Sequence, residues 1–552
     1  MHAASNYNGI LPLLCILILM FFLYPPPASA GNGIAYYVSS DGNDENPGTS
    51  PDKSWKSIAR ANRQELKPGD KLLFAGGKTF SGNLVLDSKD AGTPENPVTI
   101  SSYGEGKATI TAGLGSAIVF RDAGGIEISD LVCAGEDRTK NNGCGIAVIN
   151  TLPKNKKLKH VVIRNVEVHG FGRDIKSKDN LFSTGCGILL GGAASDESKS
   201  GFEDVLIEGC SAYDNEFFGI YITGYWNEKA KDFANHNVTI RNCKMFKNPG
   251  DPNYRENHSG SGLLVEDTDV GLVENCTAWE NGAMCNKAPG GPCGIWAAVS
   301  RKVVIQNCES FMNRTGTAPD GNGFDLDGGC IECVLQYNYS HDNDGAGFLV
   351  FTYSGAPQED KGNIVRYNIS ENDAVKLRQY GAIYIGNYGK GMSGIEVYNN
   401  TFITNQPAHA LVNIHGKNIG VTIRNNIFIT KDAPLVKIDK NSDKILFQNN
   451  LYWSEKAFKV VGEKTYENLE SWRKSGKEII DGKPSGILTD PKLPLAESHG
   501  EAGDLKRIKN LKCFNPPPGS PAVGYGIDLK KFFNSETGAS ASGKNHGNHI
   551  MP

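Results

Sequence analysis

The stretch "TIRNCKMFKN" at residues 239–248 returns as "LVENCTAWEN" at 272–281 and "VIQNCESFMN" at 304–313. Each copy holds a short apolar strand, an asparagine, a cysteine, a second short segment and a closing asparagine. Outward from these three, the same phrase recurs as "LIEGCSAYDN" before them and as "LQYNYSHDN", "VRYNISEND", "VYNNTFITN", "IRNNIFIT" and "FQNNLYW" after them, so one unit repeats from about residue 205 to 453. Asn242, Asn275, Asn307, Asn338, Asn368, Asn399, Asn425 and Asn449 mark the repeat every 24 to 33 residues. A fixed period of this length is the signature of a solenoid.

Within a period we read a first strand, an asparagine turn, a second strand beginning at the cysteine, a loop, and a glycine-led third strand such as "GLLVED", "GIWAAV" or "GFDLDG". Apolar residues alternate with period two, and glycine or asparagine interrupts every few residues, which rules out helices. Coils stacked in parallel, about 4.8 Å apart, would bury each inward side chain against its copy in the next coil. Cys210, Cys243, Cys276 and Cys308 fall just after the turn and are expected as an inward stack of reduced thiols, although the coil spacing would also permit a bridge.

Composition agrees with a many-stranded chain: 65 of its 552 residues are glycine. A formal net charge of -4 argues against a nucleic-acid partner. The apolar run Ile10 to Tyr24, followed by Pro25 to Pro27 and the small residues Ala28, Ser29 and Ala30, reads as a signal peptide over residues 1–30. A membrane anchor is the competing reading, but the run is short for a span and lacks basic flanks. The expected product is a secreted (extracellular, periplasmic or cell-wall) monomer, free of the membrane after cleavage.

The asparagine-turn repeat, with the N-terminal "YYVSSDGNDENPGTSPDKSWKSIARAN" and "LKPGDKLLFAGG", resembles the right-handed parallel β-helix proteins of the pectate-lyase-like superfamily over roughly Ala35 to Gly526. The resemblance implies an all-β domain over residues 31–530. Its first coil would be capped by an amphipathic helix within Ser54 to Leu66, and "NPPPGSPAVGYGIDL" would be its closing segment. Residues 531–552 read as a disordered tail.

Aligned on Ile220, Leu263, Ile295, Phe324, Phe348 and Ile383 as inward residues, the third strands present two outward columns. One holds Tyr221, Leu264, Trp296, Asp325, Leu349 and Tyr384; the other holds Thr223, Glu266, Ala298, Asp327, Phe351 and Gly386. Asp325 and Asp327 would lie roughly 6.6 Å apart along one strand, and Glu266 roughly 9.6 Å from Asp327 across two coils. Such separations suit a pair of carboxyls that protonate a leaving oxygen and activate water. Trp296, Tyr221 and Tyr384 offer faces for sugar rings. Asp320 and Asp344, in "DGNGF" and "DGAGF", would flank the strip, although aspartate before glycine is also ordinary turn chemistry. The bland reading of Asp325 and Asp327 is a solvated face or a Ca²⁺ site; no cofactor is otherwise expected.

Polygalacturonase-like members of the superfamily cluster aspartates on this strand face, which implies a glycoside hydrolase acting on a polysaccharide. The motif match is loose: "NGF-D" stands for their "NTD", Asp342 and Asp344 for their aspartate pair, and their Gly-His-Gly has no counterpart. His341 could tune a neighbouring carboxylate. A polysaccharide lyase is the rival enzyme; it needs Arg or Lys as base, and Arg378, Lys376 or Arg301 would have to come from loops. The epimerase signature Asp-Pro-His-Asp is absent. A non-catalytic glycan-binding or adhesin solenoid is the third class, since fold alone does not assign activity. Among the Asn-X-Ser/Thr sites, Asn257 and Asn313 are expected in loops open to glycosylation.

Overall fold

The computed structural model describes residues 33–173, 184–406, 410–495 and 511–529. The signal-peptide reading and the tail lie outside the described residues. Three long sheets of 15, 14 and 14 strands run the length of the molecule, and each coil contributes one strand to each. In one coil these are Asn235–Arg241, Lys244–Phe246 and Ser261–Glu266, with Asn242 between the first two at φ 56°. Asparagine suits that position because its short side chain tolerates the left-handed region. Pairing is parallel from Ala35–Val38 through Ile487–Leu488, apart from two short antiparallel pairs near the C-terminal end. The parallel stack extends well beyond the repeat read in the sequence.

The interior is a continuous apolar column filled by the inward residues of all three sheets. Cys210, Cys243, Cys276 and Cys308 belong to it, are free, and burial pushes the thiols of the first three well up. From the next coil onward the same ladder position is asparagine. The Cys308 N–H donates to Asn338 Oδ1 (3.0 Å), and Asn338, Asn368, Asn400, Asn426 and Asn450 hand the bond on coil by coil. This corrects the repeat marker at two places. Asn338 and Asn368 are ladder residues, and the left-handed turn before them is made by Tyr337 (φ 56°) and Tyr367 (φ 55°), whose rings stack at 5.0 Å. Asn313, expected in an open loop, is another fully buried ladder residue, whereas Asn257 is exposed.

Both ends of the column are covered. At the start, the short helix Ile58–Ala61, capped by Ser57, seats Ile58, Ala61 and the flanking Trp55 and Leu66 on the first coil. At the far end, the helix Leu469–Arg473 buries Leu469 and Trp472, the latter edge-on to Phe447 at 5.6 Å. The segment read as closing runs instead along the outside: Cys513, Phe514 and Ala522 cover Tyr339, Ile369 and Ile427 on the second sheet. Asn425 holds Ile527 through bonds of 3.0 and 3.2 Å. Among the described residues no helix is long and apolar enough to cross a membrane.

Candidate active site

The third sheet reproduces the two expected columns. Tyr221, Leu264, Trp296, Asp325, Leu349 and Tyr384 are consecutive register partners, as are Glu266, Ala298, Asp327, Phe351 and Gly386. Their surroundings differ from expectation. The first column is covered rather than solvated: Asp325 is 2 % exposed and Trp296 4 %. Phe217, Phe218, Cys293 and the half-buried Tyr254 pack over this face as a second apolar layer, with the His258 ring 4.9 Å from Trp296. The strip is therefore not an open stacking surface at Trp296 or at Tyr384, whose ring is stacked on His415 at 5.3 Å.

The cover changes the acids. Asp325 has one weak partner, the Cys293 thiol at 3.5 Å from Oδ2, and its Oδ1 is buried without a hydrogen bond. Burial, then the neighbouring Asp327 and Asp320 carboxylates, push its pKa well above the ordinary range. Asp327 also leaves Oδ1 buried and unpartnered, and is driven well up by burial and by the charges of Asp360, Asp320 and Glu266. Two carboxyls this close in a poorly solvated site cannot both ionise easily, so each is harder to deprotonate than a free aspartate. Unlike Asp325, Asp327 retains partial exposure, as do Glu266 and Asp320.

Glu266 accepts from Thr223 Oγ1 (2.6 Å) and Tyr221 Oη (2.8 Å), which ties Tyr221 to the acids as a positioning donor. Asp320 accepts from the Gly291 N–H (2.7 Å) and from Tyr380 Oη (2.8 Å); these bonds favour its ionised form against a burial that raises its pKa. Asp344 is taken up by ion pairs. Its carboxyl is engaged by Arg314 (3.2 Å), Lys376 (3.8 Å) and the Thr315 N–H (3.0 Å), a structural clamp between coils.

His341 lies on the second sheet, not at the acids. It stacks on Phe311 at 4.8 Å and bonds Asp342 (2.8 Å) and Glu309 (3.3 Å), because its strand, Tyr339–His341, faces another side of the coil. Arg378 is exposed and shows no contact with the acids. Of the other loop bases, Lys376 donates to the Gly316 carbonyl (2.6 Å), and Arg301 is bidentate to Asp269 (2.8 Å twice). Among the described residues no three Asp, Glu, His or Cys side chains gather as metal ligands.

Three participants were missed in the sequence. Asp360 is fully buried, with its Oδ2 unpartnered, and leads the charges acting on Asp327. Tyr380 holds Asp320. Tyr353 leans over Gly328, whose missing Cβ would fall 2.6 Å from the tyrosine ring. Tyr353 and Tyr380 sit in loops, and Asp360 opens the two-residue strand Asp360–Lys361; the strand pattern encodes the aim of none of them.

Residues 160–368 match the family described as "Right handed beta helix region". The fold is a right-handed parallel β-helix. The chain is 23 % identical to the lacto-N-biosidase of Bifidobacterium longum subsp. longum over 77 % of its length, and spans about a third (31 %) of that protein. A 72-residue stretch is 42 % identical to alpha-1,3-galactosidase A of Akkermansia muciniphila, covering 12 % of that enzyme. Among solved structures, the GH136 lacto-N-biosidase from Eubacterium ramulus superposes with a TM-score of 0.52 at 20 % identity, over 71 % of this chain and 68 % of that one.

Proposed function

We propose that this β-helix is an exported glycoside hydrolase acting on a neutral glycan, with Asp327 and Asp320 as its working acids. One observation carries the reading: three carboxyls, Asp320, Asp325 and Asp327, share one poorly solvated site, where burial raises all three and neighbouring carboxylates push Asp325 and Asp327 further. Glycoside hydrolysis needs that inequality, a protonated donor beside an ionised partner. Asp327, driven furthest from ionisation among the partly exposed acids, protonates the glycosidic oxygen. Asp320, held by two donors, supplies the carboxylate. Asp325 is too enclosed to reach a sugar, and the charges of Asp360, Asp320 and Glu266 keep the Asp327 proton in place.

The same acids weigh against a uronate substrate, whose charge they would repel, and the Lys376 and Arg301 side chains a lyase would need are already engaged. The similarity to a lacto-N-biosidase and to an alpha-1,3-galactosidase supports hydrolysis and suggests the first substrates to try. The test is release of p-nitrophenol from the lacto-N-bioside and the α-galactoside by purified protein, alongside uronate polymers read for unsaturated product. Release from a neutral glycoside bears the reading out; unsaturated uronate without it would replace hydrolase by lyase.

A further inference from the structure

The turns leading from the third sheet back to the first change length along the axis in a pattern that brackets the acids. After Phe218–Thr223 the chain makes the long loop 224–234, and after Ile188–Gly192 the loop 193–200. After Ser261–Glu266 a single residue, Asp267, suffices, and after Cys293–Ala298 only Val299 and Ser300. After Asn322–Asp327 three residues reach Ile331, which bridges to the first-sheet residues Arg301 and Lys361. The next turn lengthens again to 353–359. The coils of Glu266, Ala298 and Asp327 thus form a saddle, with walls about 19 Å apart at roughly 4.8 Å per coil.

Each wall carries an aromatic residue. Trp226, on the first, is 44 % exposed. Its loop is fixed from beneath: the buried Lys199 ammonium bonds Asp267 Oδ2 (2.7 Å) at the saddle edge and the Tyr225 carbonyl (3.0 Å) beside the indole. On the second wall, half-buried Tyr353 rests on Gly328, and Gln358 bonds the Gly329 carbonyl (2.7 Å). The Tyr353 hydroxyl makes no hydrogen bond among the described residues. Its pKa is raised by burial and then by Asp327 and Glu266, which places the phenol within the field of both saddle acids.

We propose that this saddle seats a neutral oligosaccharide lying across the helix axis, with the Trp226 indole as a stacking platform and the Tyr353 hydroxyl as a polar contact beside Asp327. The inference rests on the hydrolase reading and deepens it. A floor of carboxyls held back from ionising offers hydrogen-bond partners to the hydroxyls of an uncharged chain. An aromatic face held at one end and a free hydroxyl at the other are the two contacts a pyranose chain takes up.

The test separates binding from turnover. In an Asp327→Asn background, calorimetry with a neutral tetrasaccharide carrying a terminal lacto-N-biose unit should give a Kd that Trp226→Ala and Tyr353→Phe each raise about tenfold. Leu446→Ala, an equally exposed apolar residue on the first sheet, should leave it unchanged. Matching melting curves would establish that the variants are folded. Binding within twofold by both saddle variants would overturn the groove, as would no binding of the tetrasaccharide by the Asp327→Asn parent. A parent that binds in this manner while wild type cleaves nothing would overturn the hydrolase reading and leave the groove standing.

Discussion

Tyr380 and Asp320 are joined by a 2.8 Å hydrogen bond although the strands they precede lie two coils apart. The phenol stabilises the ionised aspartate, opposing the burial that raises its pKa. Tyr380→Phe should therefore raise that pKa further, so that less of Asp320 is ionised at mildly acidic pH. The expected result is an acidic limb of kcat/KM displaced to higher pH, with activity near neutrality less affected. A pH profile superimposable on wild type would show that Asp320 need not ionise.

Asp373 closes a second ladder, in which Asn215, Asn248, Asn281, Asn313 and Asn343 each accept a backbone N–H from the coil before, and Asp373 Oδ1 accepts the Asn343 N–H at 3.1 Å. Burial pushes its pKa from 3.8 to about 7. A folded-state carboxyl that is harder to ionise binds more protons than the unfolded one. Its contribution to stability is therefore retained below about pH 4 and declines as pH rises toward 7. Asp373→Asn extends the asparagine ladder without a charge. Its Tm should match wild type near pH 4 and exceed it at pH 8; equal melting at both pH values would contradict the assignment.

The cysteine stack yields a third expectation. Cys210, Cys243, Cys276 and Cys308 are free and enclosed in the column, and burial raises the thiol pKa of the first three. They should resist alkylation in the folded protein and all react after denaturation without reductant. A mass-mapped bridge between any two would contradict the structure.

What the sequence made legible was the strand face. Period-two alternation assigns inward and outward residues on each third strand, and the columns through Trp296 and Asp325, and through Ala298 and Asp327, have the expected register. Where two chemistries satisfy one position, the pattern slipped: asparagine serves both the left-handed turn, as Asn307, and the internal ladder, as Asn338, so the marker ran one residue late at Tyr337 and Tyr367. Burial of the outward face was not legible, because it depends on where Phe217, Tyr254 and His258 fold back from loops. For the same reason Asp344 looked available until Arg314 and Lys376 were seen to hold it, and Tyr353, Tyr380 and Asp360 carried no signal.

Gly328 tests the saddle from beneath. Its φ of 63° lies in the left-handed region, and a Cβ would stand 2.6 Å from Tyr353 Cε1. Gly328→Ala should cost about 1 to 2 kcal/mol from the backbone alone and move the tyrosine ring. We expect a lowered Tm together with weaker glycan binding. A variant with normal binding would mean that Tyr353 need not rest there.

Asp327 is the proposed proton donor. Asn at this position keeps the shape of the side chain and removes the donor, and general acid help is worth about 10² to 10⁴ in rate. The decisive measurement is kcat of Asp327→Asn beside Asp325→Asn on the best aryl glycoside wild type cleaves. The expected fall is at least about 10² for Asp327→Asn, with Tm unchanged or raised, and smaller for Asp325→Asn. Near-normal turnover by Asp327→Asn would contradict it.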